Sequence, residues 1–146
     1  YEALQPGFKD YARQVVANAT VLAEELQKRG FKLVTGGTSN HLILADVQAS
    51  FGIDGSVVEA ACDAVGLTLN KNAVPDDVLP PFRPSGVRLG TPAITTRGLR
   101  EEHMSRVANW IYQAIEARDD PMRLAQLRSE VEAFALQFPL PSDTID

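Results

Sequence analysis

A proline-rich segment in the middle of the chain limits the fold more than any other feature. Residues 71–86 contain four of the nine prolines of this 146-residue chain, at Pro75, Pro80, Pro81 and Pro84. Because proline has no backbone N–H donor, such a segment is excluded from helix interiors and from central strands. We therefore predict a long loop here, and long loops in compact domains are usually functional or disordered.

Arg88 lies just after this loop, in an apolar stretch that is predicted to be a strand over residues 87–91. Gly86 and Gly90 flank it, and glycine leaves space for a ligand or for another backbone. A buried guanidinium needs an anionic partner, and its planar fork fits a carboxylate or a phosphate. From the spacing alone, two explanations of Arg88 are equally good. Either it binds a ligand, or it forms an internal salt bridge or snorkels from an edge position.

Hydrophobic spacing along the rest of the chain predicts an α+β fold. We expect a long N-terminal helix from Pro6 to Gly30, then a small, mostly antiparallel sheet with helices packed on one face. The other predicted elements are strands at residues 31–34, 41–46 and 67–70, a helix opened by a capping box at 56–59, a helix at 99–117, and a last helix capped by Asp120–Pro121.

Composition argues against several classes of partner. The net charge of −5, without a basic block, is unlike that of a nucleic-acid-binding domain. The longest apolar run, at residues 42–45, is far too short to span a bilayer, so we expect no membrane partner. The single cysteine, Cys62, excludes an internal disulfide and fits a reducing compartment, and we expect a cytoplasmic protein with this thiol in its core.

The residues that could carry chemistry do not form a self-contained catalytic site. His41 and His103 have no partners at metal-ligand spacing, and His103 is predicted on a helix exterior, so we expect no metal. Ser85 lacks the flanking residues of a nucleophile elbow. Asp76 and Asp77 are predicted to be a solvated pair in the loop.

Asn70, Lys71 and Asn72 form a polar cluster that we place directly after the third strand. An ordinary turn explains the cluster, since asparagine is favoured in turns. The functional alternative is a set of side-chain amides that recognise a planar polar ligand. Taken alone, the cluster favours the turn.

Three motifs stand in an order and at a spacing typical of one enzyme family. They are Gly-Gly-Thr-Ser-Asn-His-Leu at 36–42, Asn-Lys-Asn-Ala-Val-Pro at 70–75 and Ser-Gly-Val-Arg-Leu-Gly-Thr-Pro-Ala at 85–93. They resemble the C-terminal part of serine hydroxymethyltransferase, and the resemblance extends from the first helix to about Pro141. It implies that residues 1–146 form one domain, the small C-terminal domain of a fold type I (aspartate aminotransferase-like) pyridoxal-phosphate enzyme, without its large cofactor-binding domain. The start at Tyr1, without a methionine, also favours a piece of a longer protein.

The resemblance implies an enzyme that interconverts serine and glycine and moves a one-carbon unit to or from tetrahydrofolate. In that family, pyridoxal 5′-phosphate is held as a Schiff base by a lysine of the large domain. The lysines of this chain do not match that motif; they are Lys9, Lys28, Lys32 and Lys71. We therefore expect no catalytic residue, bound cofactor or activity in this chain alone, and a homodimer or homotetramer for the full enzyme.

The resemblance also assigns binding roles to particular residues. Arg88 matches the arginine that binds the carboxylate of the amino-acid substrate. Asn72 matches an asparagine near the folate pterin, and Pro80, Pro81 and Phe82 match a loop tripeptide that contacts the folate. For Arg88, the resemblance and the chemistry of its guanidinium fork indicate the same kind of partner.

The chain departs from the family pattern at three places. Ser39 stands where the family usually has aspartate, Pro80 replaces a common serine, and Arg83–Pro84 replace valine and threonine. The last two changes lie in the folate loop, so the resemblance supports the carboxylate contact more strongly than the folate contacts.

Three alternatives remain from the sequence. The first is the small domain of another fold type I pyridoxal-phosphate enzyme. The second is a non-catalytic module that binds a small carboxylate through Arg88. The third is a structural domain in which Arg88 pairs internally, with Asp46 or Glu59 as possible partners.

Overall fold

The computed structural model describes residues 2–144, which form a four-stranded sheet packed against helices. The helices are α1 (Pro6–Lys28), α2 (Val47–Phe51), α3 (Gly55–Ala64), α4 (Pro92–Thr96), α5 (Glu101–Glu116) and α6 (Pro121–Ala135). The strands are β1 (Lys32–Leu33), β2 (Leu42–Asp46), β3 (Asn70–Asn72) and β4 (Gly86–Gly90). The predicted α+β fold, with its long N-terminal helix and antiparallel sheet, is confirmed.

The strands lie in the order β1-β2-β4-β3, and each neighbouring pair is antiparallel. Side chains alternate between the two faces of a strand, so the helices cover the face that carries Ile43, Ala45 and Val87, which are buried. The opposite face, which we call the open face, carries Leu44 and Arg88 at paired positions of β2 and β4. The fold therefore places Arg88 on an inner strand, with its side chain away from the core.

The core lies between the sheet, α1, α3, α5 and α6. Its largest fully buried side chains include Leu22, Leu26, Ile43, Met104 and Leu127. Cys62 also lies in this core, as predicted, and burial raises the pKa of its thiol to about 12. None of the helices within residues 2–144 combines the length and the hydropathy needed to cross a membrane.

Buried polar side chains fix α1 against the end of β4 and the segment that follows it, which includes α4. The Asn18 amide donates to Thr95 Oγ1 and to the Leu99 carbonyl, both at 2.9 Å. Thr91, the residue after β4, donates through its hydroxyl to the Val15 carbonyl at 2.7 Å. In the part of the chain that the structure describes, every buried side-chain nitrogen and oxygen has a hydrogen-bond partner.

Two predicted elements were placed wrongly. The third strand covers Asn70–Asn72 rather than 67–70, because β3 is an edge strand whose polar residues pair with β4 and need no apolar alternation. The predicted capping box at 56–59 is also wrong, since α3 is capped by Asp54, whose carboxylate accepts from the N–H groups of Ser56 and Val57. The short helices α2 and α4 were not predicted.

His103 was also placed wrongly, since it does not lie on a helix exterior. Its ring is half-buried against Phe134 and Phe138. Its Nδ1 accepts a hydrogen bond from the Arg100 backbone N–H at 2.9 Å, which caps the start of α5. The imidazole is therefore part of the packing of α5 against α6 and the segment that follows it.

Candidate functional site

Arg88 is the central charged residue of the open face. It pairs in register with Leu44 on one side and Asn70 on the other, and its side chain is exposed. Within residues 2–144, Arg88 has no anionic partner. Its side chain takes part in none of the ion pairs or side-chain hydrogen bonds of the described residues. Arg88 is therefore open to a carboxylate from outside this chain.

The two internal partners considered for Arg88 are engaged elsewhere. Asp46 caps α2, where its carboxylate accepts from the Ala49 N–H at 2.8 Å. Glu59 accepts from the Lys71 N–H at 3.1 Å and also forms an ion pair with the Lys71 ammonium at 3.4 Å. The structure therefore gives no support to an internal salt bridge at Arg88.

At the glycines that flank Arg88, the backbone of other segments of this chain comes close. A methyl group at Gly86 would lie 2.8 Å from the Asn72 carbonyl oxygen and 3.0 Å from the Ala45 carbonyl oxygen. At Gly90 it would lie 2.8 Å from the His41 carbonyl oxygen. Of the two explanations offered for these glycines, close approach of another backbone is the one that the structure supports.

Asn70 and Asn72 lie on the open face beside Arg88. Strand β3 pairs them with Arg88 and Gly86, so the two amides project on the same side of the sheet as the guanidinium. Their Nδ2 groups donate to the neighbouring carbonyls of Lys71 and Ala73, at 3.1 and 2.8 Å. These contacts leave the side-chain carbonyl oxygens available as acceptors for a ligand.

Asp77 organises the long loop that joins β3 to β4, residues 73–85. One carboxylate oxygen accepts from the N–H groups of Val74 and Ser85, at 3.2 and 2.9 Å. The other accepts from the Leu79 N–H at 2.9 Å and from the Ser85 hydroxyl at 2.6 Å. We call these four contacts the Asp77 clasp, and they show that the prediction of a solvated Asp76–Asp77 pair was wrong for Asp77.

The Asp77 clasp is expected to be acid-sensitive. The hydrogen bonds from the Ser85 hydroxyl and backbone, followed by those from Leu79 and Val74, hold the pKa of Asp77 well below its ordinary value of 3.8. Because the folded-state pKa lies below the unfolded one, the clasp contributes fully above about pH 4 and is lost as pH falls through the folded-state pKa. An NMR titration of the Asp77 carboxyl carbon measures the folded-state pKa of Asp77.

The same titration on Ser85→Ala provides the comparison. Loss of the hydroxyl donor should move the Asp77 midpoint up toward 3.8, because the ionised form loses one of its four hydrogen bonds. An Asp77 midpoint of 3.8 in the unaltered folded chain would contradict the clasp.

The loop tripeptide Pro80, Pro81 and Phe82 is exposed, and Phe82 has 70% of its surface accessible. Its backbone is held from both sides. The Ser56 hydroxyl donates to the Phe82 carbonyl at 3.1 Å, and the Arg83 N–H donates to the Pro80 carbonyl at 2.8 Å. The Phe82 ring is therefore presented to solvent on a fixed backbone.

Arg83 ties the tripeptide to the start of α3. Its Nε and Nη2 both contact Asp54 Oδ2, at 2.7 and 2.6 Å, and Asp54 is only 4% exposed. Burial raises the pKa of Asp54, but hydrogen bonds from Arg83 and from the backbone N–H groups of Val57 and Ser56 outweigh it and leave the pKa below its ordinary value. This ion pair holds the end of the tripeptide against the first turn of α3.

The predicted folate residues do not all meet in one place. Pro80 and Phe82 line a cavity of about 450 Å³ between the loop and the α2–α3 connection, which also includes Asp54 and Arg83. Asn72, Pro81 and Arg88 do not line this cavity. The structure therefore brings Asn72 together with Arg88 on the open face, and it places Phe82 beside this separate cavity.

The four lysines of this chain do not gather at one site. All four side chains are exposed and they are spread over α1, β1 and β3. Lys28 pairs with Glu25 and Lys71 pairs with Glu59. Within residues 2–144, no group of three or more histidine, cysteine, aspartate or glutamate side chains could hold a metal ion.

Sequence reasoning missed Asp54 and Asp77, although each has a local signal. Asp54 comes just before the first turn of a helix, where aspartate is a preferred cap. Asp77 accepts from the N–H two residues later, as aspartate in turns commonly does. The long-range contacts of the two carboxylates, to Arg83 and to Ser85, had no signal in the sequence.

Comparison with known proteins gives a consistent result. The sequence model of the family described as serine hydroxymethyltransferase matches residues 1–111. A serine hydroxymethyltransferase of Koribacter versatilis (strain Ellin345) is 50% identical over 139 residues, which are 95% of this chain and 32% of that protein. A serine hydroxymethyltransferase of Acidobacterium capsulatum has the same identity and coverage. The chain thus spans about a third of the length of the curated relatives it matches.

Proposed function

Since the chain belongs to the serine hydroxymethyltransferase family, we propose that it forms the small C-terminal domain of an enzyme that interconverts serine and glycine. The complete enzyme would transfer the one-carbon unit to or from tetrahydrofolate. The observation that carries this proposal is Arg88, exposed on an inner strand and without an anionic partner within residues 2–144. The family match favours this enzyme over other fold type I enzymes.

In this proposal, Arg88 binds the carboxylate of serine or glycine. A guanidinium fork donates to both carboxylate oxygens at once, which fixes the orientation of the amino acid as well as its position. Strand β4 is held between two neighbours, so the base of the Arg88 side chain is well positioned. The amide oxygens of Asn70 and Asn72 add acceptors on the same face.

The cofactor belongs to the rest of the enzyme in this proposal. When bound, pyridoxal 5′-phosphate would supply an electron sink for the amino-acid substrate. Its lysine and its phosphate contacts would come from the large domain, because the lysines of this chain lie apart and exposed. We expect the chain alone to be inactive, and the complete enzyme to be a cytoplasmic homodimer or homotetramer.

The proposed folate contacts are Asn72, Pro80, Pro81 and Phe82. Asn72 offers a free amide oxygen on the open face, and polar edges of a pterin are suited to such an acceptor. The exposed Phe82 ring offers an aromatic face, on which a flat heterocycle can stack. We propose that a bound folate extends from the open face to the loop, since Asn72 lies on the first and Phe82 on the second.

Replacing Phe82 with alanine in the complete enzyme tests the folate role. We expect KM for tetrahydrofolate to rise about fivefold or more, which corresponds to roughly 1 kcal/mol of lost aromatic contact. The unfolding free energy should change by less than about 0.5 kcal/mol, because the ring is 70% exposed. Steady-state kinetics and a urea titration measure both quantities.

Val78→Ala is the matched control for Phe82→Ala. Val78 lies in the same loop and is 91% exposed, so its truncation removes apolar surface without touching the tripeptide. Its KM for tetrahydrofolate should equal that of the unaltered enzyme. A Phe82→Ala enzyme whose KM for tetrahydrofolate is unchanged would rule out this contact.

A further inference from the structure

The Asp77 clasp closes both ends of the loop through one side chain. Val74 lies two residues after β3, and Ser85 immediately precedes β4. One carboxylate oxygen of Asp77 accepts hydrogen bonds from both of their N–H groups. The loop between them therefore has its ends fixed within one cluster of hydrogen bonds, although it contains four prolines and no regular structure.

The clasp is continuous with the strand that carries Arg88. Ser85 lies three residues before Arg88, and its carbonyl accepts from the N–H groups of Val47 and Gln48, at 3.0 and 3.1 Å. The side chain of Val74 packs against Gly86, where a methyl group would lie 2.8 Å from Val74 Cγ1. Asp77 therefore anchors the loop at the start of β4, whereas β4 itself is held by the Ser85 carbonyl and by its two neighbouring strands, through contacts that do not involve Asp77.

We propose that Asp77 is a positioning residue for tetrahydrofolate, acting through the loop that presents Pro80, Pro81 and Phe82. This role rests on the proposed function. Asp77 lies in the loop itself but is engaged by Val74, Leu79 and Ser85, so it would hold the tripeptide in place rather than contact the folate. Loss of the clasp would lower the fraction of loops in the binding conformation, and the apparent affinity for folate falls in proportion to that fraction.

The two oxygens of Asp77 make its alanine and asparagine variants differ in a predictable way. Alanine removes all four contacts. Asparagine can turn its NH₂ group toward the Ser85 hydroxyl, which is able to accept, and keep its oxygen for the two backbone donors Val74 and Ser85. Only the Leu79 contact is then lost, so asparagine should retain most of the clasp.

Asp76 provides a matched control at the adjacent position. Its carboxylate is exposed, and its φ of 56° is a left-handed conformation that asparagine also adopts readily. Asp76→Asn therefore removes one negative charge from the same loop without strain and without touching the clasp. Any effect of the loop's charge on folate binding would appear in Asp76→Asn as well as in the Asp77 variants.

The experiment measures KM for tetrahydrofolate, KM for serine and kcat in the complete enzyme, together with the calorimetric Kd for tetrahydrofolate. For Asp77→Ala we expect the folate KM and Kd to rise about tenfold or more, with less than about a twofold change in the serine KM. Asp77→Asn should show a smaller rise in the folate KM, and Asp76→Asn should show none.

Two results would overturn the role of Asp77. One is an Asp77→Ala enzyme that binds tetrahydrofolate as tightly as the unaltered enzyme does. The other is an equal rise in the folate and serine KM values, because general damage to the domain would affect both substrates. If the unaltered enzyme itself binds no folate in calorimetry, the proposed function is the part that fails.

Discussion

Arg88→Ala in the complete enzyme is expected to lower kcat/KM for serine by about thirtyfold to a few thousandfold. Removing one partner of a desolvated charge pair typically costs ~2–5 kcal/mol, which gives this range. The loss should be specific to the amino acid, because Arg88 has no structural partner within residues 2–144 whose loss would unfold the domain. Steady-state kinetics with serine and tetrahydrofolate measure the effect.

Arg88→Lys should also be poorly tolerated. Lysine keeps the positive charge but has no planar fork, so it cannot hold both carboxylate oxygens in one orientation. The control is Arg128→Ala, since Arg128 makes a surface contact with Glu132 at 2.7 Å on α6, and such pairs contribute little. Serine turnover near normal in both Arg88 variants would eliminate Arg88 as the carboxylate anchor.

Gly55→Ala is expected to have the largest effect on the stability of this chain. A methyl group at Gly55 would lie 2.1 Å from the Gly86 carbonyl oxygen and 3.1 Å from the Pro84 carbonyl oxygen. The Gly55 N–H also donates to the Pro84 carbonyl at 2.7 Å, so α3 cannot shift away without losing this hydrogen bond. We expect the unfolding free energy to fall by about 3 kcal/mol, as for severe overpacking. The urea midpoint measures it.

Gly7→Ala serves as the control for Gly55→Ala. Gly7 lies at the exposed start of α1, where a methyl group would meet nothing within 4 Å. Alanine is the better helix former, so the unfolding free energy should stay the same or rise by at most about 1 kcal/mol. If both variants unfold at the same urea concentration as the unaltered chain, the close approach of α3 to β4 is not present in solution.

Much of the fold was predictable from local patterns. The apolar spacing that starts after Pro6 predicted α1, and Asp120–Pro121 predicted the start of α6, whose first turn Asp120 caps. The strands β1 and β2 followed from two apolar runs, at residues 31–34 and 41–46. These elements were accessible because each is determined by residues within one or two turns of each other.

The errors arose where distant residues decide the local structure. The strand β3 was placed wrongly because its residues are polar and show no apolar alternation. It forms because it pairs with β4, which lies on the other side of the proline-rich loop in the sequence. Ser56 was assigned a capping role, but its hydroxyl contacts Phe82, 26 positions along the chain, while Asp54 caps the helix. Arg88 was predicted to be a binding group, but its exposure depends on which face of the sheet the helices cover.

A crystal structure of the complete enzyme with glycine bound would show whether Arg88 holds the substrate carboxylate. We expect both carboxylate oxygens of glycine to lie about 2.7–2.9 Å from two guanidinium nitrogens of Arg88. A glycine carboxylate held by another side chain, with Arg88 paired to a carboxylate of the protein, would rule out Arg88 as the substrate anchor.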